Sequence, residues 1–565
     1  MKYTFKKAMI FGLGCLMGLT SCSDSWLKTD STQTAEGDAI FSTTDNAKLV
    51  INGICRTMVQ QHGYYGQMFN GEGTMKVLYG EYAGQDLNFP YMSPGWSPIM
   101  NNESSQTQNS SSIYDSYPWY YYYLIIGNAN AVIDRIDKAE GTQEMKDFLK
   151  AEALTFRAYS FFRLSEFYCL PWARSNNGAT DGIVLRTKEV SEAGGETDMA
   201  LSTLAKTYEQ IYDDLDEAIR LYDASGLTRN DVYAEATSTI SFPDAPVAHA
   251  IYARAALTRE DYATAKTHAS LAREGFALMD VNSYRSGFCE PNNEWIWGVY
   301  NDASETIWYF GWQLFMACNG YYAQQGINVC INRALVESFP DTDIRKGLFL
   351  TESAFLPAGK TFEEVIYTDD DDINFFTDKT AKAKANQYTK GVVAAAADQS
   401  YAYASLKFQA TAQPAVGCQP IFRASEMLLI EAEANYHLSA DPTDAQNSLK
   451  ELNLTSGRDP QYTCTATGED LLKEIKKYRR LELWGEGFSW YDCKRWGDPV
   501  VRPSIAEGGN YSQFISGTYG FDKAGNYDET FWKWIIPNRE SDYNTAIEIK
   551  SVSYTHLRAH ETSLH

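Results

Sequence analysis

Between Tyr208 and Tyr222 the apolar positions recur at helical spacing. Tyr208, Ile211, Tyr212, Leu215, Ala218, Ile219 and Tyr222 form one stripe, and Asp213, Asp214, Asp216 and Glu217 fall on the wet side. A second stripe runs through Leu154, Ala158, Phe161 and Ser165, widened by Phe162, Phe167 and Tyr168. A third, through Ala129, Val132, Ile133 and Ile136, precedes it, and Gly141 in the gap suits a reversal between two helices. Leu471, Ile475 and Tyr478 begin one more helix.

The segment from Pro246 to Arg273 predicts a hairpin. Pro246 suits a first helical turn. Ala250, Ala253 and Leu257 face Ala265, Ala269 and Ala272 across the break Thr258–Asp261. Small residues on such a seam let two helices pack closely. Ile421–His437 and Thr443–Leu452 predict another pair, punctuated by Asp441-Pro442. Alanine-lined pairs of this kind resemble tetratricopeptide-type repeats. The fold class predicted is mainly α: a superhelix of helix pairs with large irregular loop insertions.

Those insertions are expected near residues 64–116 and 280–416, which are rich in Gly, Asn, Ser, Tyr and Pro or lack a helical period. Loops this long usually carry function. The first supplies Tyr65, Asp86, Tyr91, Trp96 and Asn101. Flat rings beside amide and carboxylate groups are the chemistry that holds sugars: pyranose faces stack on aromatics while polar groups bond hydroxyls. Trp96, on a Pro94-Gly95 turn, is the leading candidate. The second supplies Trp295 and Trp297 in an alternating, strand-like run, where half the rings would be buried. Thr306–Phe310 has the same alternation and carries Trp308 and Tyr309. The aromatic run Trp119–Tyr123 enters a helix and reads as core packing. Arg479, Arg480, Glu482, Glu486, Asp492 and Arg495 lie among aromatics and read as buried paired charges that fix the C-terminal packing.

Charge narrows the ligand. With 49 basic and 73 acidic residues the net charge is −24, which repels nucleic acid and leaves neutral ligands as the natural expectation. An acidic run at Asp369–Asp372 makes Asp369 and Asp371 candidate Ca²⁺ ligands. The spacing does not fit an EF-hand, and a solvated loop is the default. No Cys-x-x-Cys occurs, so a zinc site is not expected; Cys55, Cys169, Cys289, Cys318, Cys330, Cys418, Cys464 and Cys493 read mostly as buried thiols. No Gly-x-Ser-x-Gly, His-Glu-x-x-His, phosphate loop or dinucleotide fingerprint is present. His249 and His268 sit in helices, where a satisfied or exposed imidazole is usual. No cofactor is expected.

The N-terminus adds a location. Lys2, Lys6 and Lys7 precede an uncharged apolar run from Ala8 to Leu19. That run is shorter than the ~20 residues of a membrane span and suits a cleaved signal. Leu19-Thr20-Ser21-Cys22 resembles the lipobox of bacterial lipoproteins. The resemblance implies removal of residues 1–21 and lipidation of Cys22, which would tether a body that does not itself span a bilayer. At the other end, residues 551–565 differ in texture, hold three of the seven histidines and read as a foreign tail.

Several segments in order resemble the SusD/RagB family of Bacteroidota outer-membrane lipoproteins. They are Cys22 to Leu27, Trp119 to Ile133, Ala151 to Tyr159 running into Leu164–Trp172, Arg423 to Ala434, Tyr478 to Gly497, and Trp534-Ile535-Ile536-Pro537. The acidic signal often found after the lipidated cysteine is thin, with only Asp24. The resemblance implies one SusD-like domain over residues 22–550. It implies a non-catalytic lipoprotein at the outer-membrane surface that passes glycans to a TonB-dependent, SusC-like β-barrel docked on the helical scaffold. Peptide uptake within the same system, a secreted glycoside hydrolase with paired carboxylates, and a pure protein-interaction scaffold are the alternatives.

Overall fold

The computed structural model describes residues 40–64, 67–88, 99, 107–189, 199–303, 311–324, 329–351, 375–376, 400–401, 403–412 and 414–547. Its helices of regular length are α1 (Thr44–Val59), α2 (Ile113–Arg135), α3 (Gln143–Tyr168), α4 (Leu204–Ser225), α5 (Ala245–Thr258), α6 (Tyr262–Arg273), α7 (Ala424–Leu438), α8 (Thr443–Lys450), α9 (Gly468–Glu482) and α10 (Ser489–Trp496). Each neighbour packs on the last: α2 on α3, α3 on α4, α4 on α5, α5 on α6, α6 on α7, and α7 on both α8 and α9. This is the helical array that the stripes predict. None of the described helices is long and apolar enough to cross a membrane.

Local signals set the helix ends. Thr43, Ser112, Thr142 and Thr203 cap α1 to α4 by accepting a first-turn backbone N–H. Gly226 closes α4 at φ +63°, a left-handed conformation that glycine adopts without strain. Pro246 lies in the first turn of α5, and Asp261 caps α6 after the break. Ala250, Ala253, Ala265, Ala269 and Ala272 are fully buried on the expected seam.

Some expectations change. Asp214 is not on the wet face of α4. It is buried against Arg157 of α3, which donates to both its oxygens at 2.6 and 2.8 Å. Periodicity could not reveal this, because the partner lies 57 residues away. The first insertion is also more ordered than expected. The strands β1 (Gln61–Tyr64) and β2 (Gln67–Asn70) pair as an antiparallel hairpin. Gly71–Tyr82 then forms a buried helical segment, π-type from Met75. Gly80 makes that segment fit: a Cβ there would sit 2.4 Å from the Gly487 carbonyl oxygen. Ile421 to Arg423 belong to a strand, not to the start of α7. That strand, β4 (Gln419–Arg423), pairs antiparallel with β3 (Trp295–Val299) through an irregular register.

The aromatic run is core as expected: Trp119, Tyr121 and Tyr122 are buried, while Tyr120 is 37% exposed. The eight cysteines from Cys55 to Cys493 are buried. Cys22, Asp369, Asp371 and the 551–565 tail lie outside the described residues.

The predicted C-terminal charges are buried and paired. Arg479 donates to Asp492 at 2.7 Å, Arg480 to Asp86 at 2.5 Å, and Arg495 to both Asp492 (2.8 Å) and Glu433 (2.6 Å). A second layer is built on Glu482. Arg458 meets it at 3.0 Å, Arg345 at 3.0 Å and Arg423 at 3.1 Å. Arg423 also holds Glu486 at 2.7 Å and bonds Glu294, which Arg458 meets at 2.9 Å. Lys407 completes the layer at 2.9 Å from Glu486. Burial opposes ionisation of Glu482, yet Arg458, Arg423 and Arg345 hold its carboxyl well below the usual range.

Glu81 is the opposite case. Burial and the nearby Asp86 push it up to about 8, against two backbone N–H donors from Gly487 and Phe488.

Two predictions follow from these charges. Arg423→Ala removes the cation shared by Glu294, Glu482 and Glu486 in the core and is expected to cost about 3–5 kcal/mol in urea unfolding; a loss under 1 kcal/mol would contradict the network's role. Glu81 is raised on folding, so its contribution is fully present below its unfolded pKa and is lost as pH rises toward 8. Wild type is expected to lose about 1.4 kcal/mol per pH unit relative to Glu81→Gln over that window. Unfolding curves at pH 5 and pH 8 read the difference.

Candidate functional site

Of the loop residues named from sequence, Tyr65, Tyr91, Trp96 and Asn101 lie outside the described residues, as do Trp308 and Tyr309. Three others have defined places, and each is structural. Asp86 is 2% exposed; it pairs with Arg480 and accepts from the Ser489 hydroxyl at 3.1 Å. Trp295 and Trp297 are 1% and 0% exposed. The expectation that only half the rings of the alternating runs are buried fails in β3, where every residue is covered. Phe156 and Tyr159 of α3 pack on Trp297 at 5.9 and 5.1 Å between ring centres, and α1 and α5 also lie against the strand. These two rings belong to the core and are removed from the candidate ligand set.

The strand nevertheless delivers a site where it ends. An open groove lies between α1, the segment Ala236–Phe242 and the exit of β3. Helix α1 turns Ile51, Ile54 and Met58 inward, and its outward positions Asn52 and Arg56, one turn apart, reach the groove. Cys55, Val59 and Phe242 form an apolar floor, while Thr237, Ser238, Ser241, Tyr300, Asn301 and Asp302 supply the walls.

Ser241 fixes this geometry. Its carbonyl accepts from the Trp297 indole at 2.9 Å and the Cys55 thiol at 3.3 Å, and its hydroxyl accepts from the Tyr300 N–H at 2.8 Å. The buried tryptophan thus positions the wall of a groove it does not enter. The Tyr300 hydroxyl donates toward Asp302 at 3.4 Å and also bonds Thr237. Partial burial, then the Asp302 charge, raises the Tyr300 phenol above its ordinary value, so it stays a neutral donor. Asn301 is 7% exposed, and its side-chain oxygen has no hydrogen-bond partner among the described residues.

A half-exposed ring, hydroxyls and amides around an apolar floor can hold a neutral, hydroxyl-rich molecule. Asp302 is the one carboxylate among the described lining residues.

Two other cavities fit ligands less well. A small cavity between α3, α5, α9 and α10 is lined by Glu72, Lys76, Arg163 and Arg254. Its charges are already engaged: Tyr121, Tyr122 and Tyr159 all donate to Glu72, and Arg254 pairs with Glu426 at 2.7 Å. Burial lowers Lys76 to about 7 despite Glu486 and Glu72. A wider groove lies on the helical scaffold beside Trp496. Lys476 and Arg495 already stand 5.0 and 4.8 Å from that ring, and Glu433 accepts from its indole at 3.0 Å.

Trp297→Ala is expected to cost about 3–5 kcal/mol in unfolding free energy, the penalty of emptying a core site. Unchanged stability would show that the ring is not part of the core.

Two family models match the chain. One, described as "Starch-binding associating with outer membrane", matches residues 77–238; the other, described as "SusD family", matches residues 411–556. Among solved structures, a SusD-like carbohydrate binding protein from Bacteroides vulgatus is 22% identical with a TM-score of 0.66, covering 90% of this chain and 98% of its own. A SusD superfamily protein from Bacteroides thetaiotaomicron is 21% identical with a TM-score of 0.65, covering 90% and 99%. One from Bacteroides fragilis is 20% identical with a TM-score of 0.63, covering 90% and 100%. No curated protein sequence matches the chain.

Proposed function

We propose, from the premise that this chain belongs to the SusD family, that it captures neutral oligosaccharides and delivers them to a SusC-like, TonB-dependent outer-membrane transporter. The observation that carries the binding reading is the groove at Tyr300. It joins one aromatic face to hydroxyls and amides on an apolar floor, with Arg56 and Asp302 as its only charged lining groups among the described residues, in a chain whose net charge of −24 disfavours anionic ligands. The solved relative named for carbohydrate binding supports the same class.

Capture needs no bond to be made or broken. Tyr300 stacks on a pyranose face, and Asn52, Thr237, Ser238 and Asn301 exchange hydrogen bonds with its hydroxyls. The loop residues Tyr65, Tyr91, Trp96 and Asn101 remain candidate contacts for a longer glycan. Lipid on Cys22 would hold the body beside its transporter, and the gain is effective concentration. Asp369 and Asp371 remain a candidate Ca²⁺ pair.

A glycan array on the full chain is expected to show oligosaccharide binding that weakens at least tenfold in Tyr300→Ala. A stacked ring contributes about 1 kcal/mol or more, and the substitution also removes the hydroxyl. Glycan binding unchanged by Tyr300→Ala, or release of shorter products from bound glycans, would overturn the reading. Mass spectrometry of membrane-derived protein is expected to find acylated Cys22 as the first residue; an unmodified thiol there would remove the tether.

A further inference from the structure

The alanine seam between α5 and α6 has a consequence for metal chemistry. Ala253, Ala265 and Ala269 carry no side chain beyond Cβ, so the two helices approach closely. Two imidazoles that stand 19 residues apart in sequence then meet across the seam. His249 Nδ1 and His268 Nδ1 are 2.9 Å apart. Both rings are half-buried and within reach of solvent. Tyr252 stacks on His268 at 3.8 Å between centres, 20° from parallel, and fixes that ring. Asp223 acts electrostatically on His249, and Asp261 on His268.

We propose that His249 and His268 form a two-imidazole site for a divalent late transition-metal ion, such as Zn²⁺ or Cu²⁺. Neutral imidazole nitrogen is a preferred donor for both ions. At ordinary Zn–N lengths, two tetrahedral ligand nitrogens stand about 3.3 Å apart. The observed pair needs a few tenths of an ångström of opening and a turn of the rings, so that lone pairs now facing one another converge on one ion.

The proton count balances. Without metal, one ring donates its Nδ1–H to the other. With metal bound, both rings coordinate through Nδ1 and both carry their proton on Nε2, so the donor ring exchanges tautomer through solvent and nothing is oxidised or reduced. No third His, Cys, Asp or Glu completes a chelate among the described residues, so solvent fills the remaining positions. The site is therefore weaker than a closed structural zinc site, and loading is reversible.

Three histidines near the C-terminus, His556, His560 and His565, would compete for the same ions. The parent for the test is therefore the full chain with those three changed to Gln. Calorimetric titration of this parent with ZnCl₂ is expected to show about one equivalent bound and none with MgCl₂. His249→Gln and His268→Gln, each checked for an unchanged circular dichroism spectrum, are expected to weaken binding at least tenfold, while His437→Gln is not. On the folded parent itself, electron paramagnetic resonance of bound Cu²⁺ is expected to show coupling to two imidazole nitrogens, a readout that survives if a variant fails to fold. Absence of binding by the parent, unchanged binding in His249→Gln or His268→Gln, or a Cu²⁺ spectrum without two-nitrogen coupling would each overturn the proposal.

Discussion

A carboxylate buried among three guanidinium groups joins segments of this chain that are far apart in sequence. Glu482, at the end of α9, is held by Arg345, Arg423 and Arg458. Arg423 stands at the junction of β4 and α7, and Glu294, just before β3, closes the circuit. A cluster of this kind is not a strong source of net stability, because desolvation offsets much of the Coulomb attraction. Its geometric demand is strict. Every member must be present, or a charge is stranded in the core. The strand pair β3–β4 is therefore locked to the C-terminal helices.

That lock reaches the groove through β3. Trp297 is clamped by α3, and its indole holds the Ser241 carbonyl. Ser241 in turn holds Tyr300 as the strand leaves the sheet. A half-exposed tyrosine is thus mounted on a fully buried frame. Pre-positioning suits a capture protein, since a ring already fixed in place loses little rotamer freedom when ligand arrives. The same logic runs through the helical array, where alanine seams set close helix spacing and bring His249 against His268.

Much of the scaffold was legible from periodicity, because it rests on contacts between neighbours in sequence. The stripe from Tyr208 to Tyr222, the Pro246–Arg273 hairpin and the paired charges from Arg479 to Arg495 are where the pattern puts them. The failures share a cause. Asp214 reads as a surface residue until Arg157 arrives from another helix, and Trp295 and Trp297 read as candidate ligand contacts until helices pack over their strand. The groove was less legible still. Tyr300 stood out only as one of several aromatics, and nothing local links it to Arg56 or Thr237. Their meeting depends on tertiary packing of α1 against β3. Helix-face spacing of Asn52 and Arg56 was the one available signal, and it is common to many solvated helices.

The claim at the centre of this account is that a preformed groove beside β3 receives sugar. A crystal structure of the full chain soaked with a mixture of neutral oligosaccharides tests it most directly. The account predicts a pyranose ring against Tyr300 with Asn301 or Thr237 within hydrogen-bond distance of its hydroxyls. Sugar bound only at a surface remote from Tyr300, with this groove holding solvent alone, would contradict it.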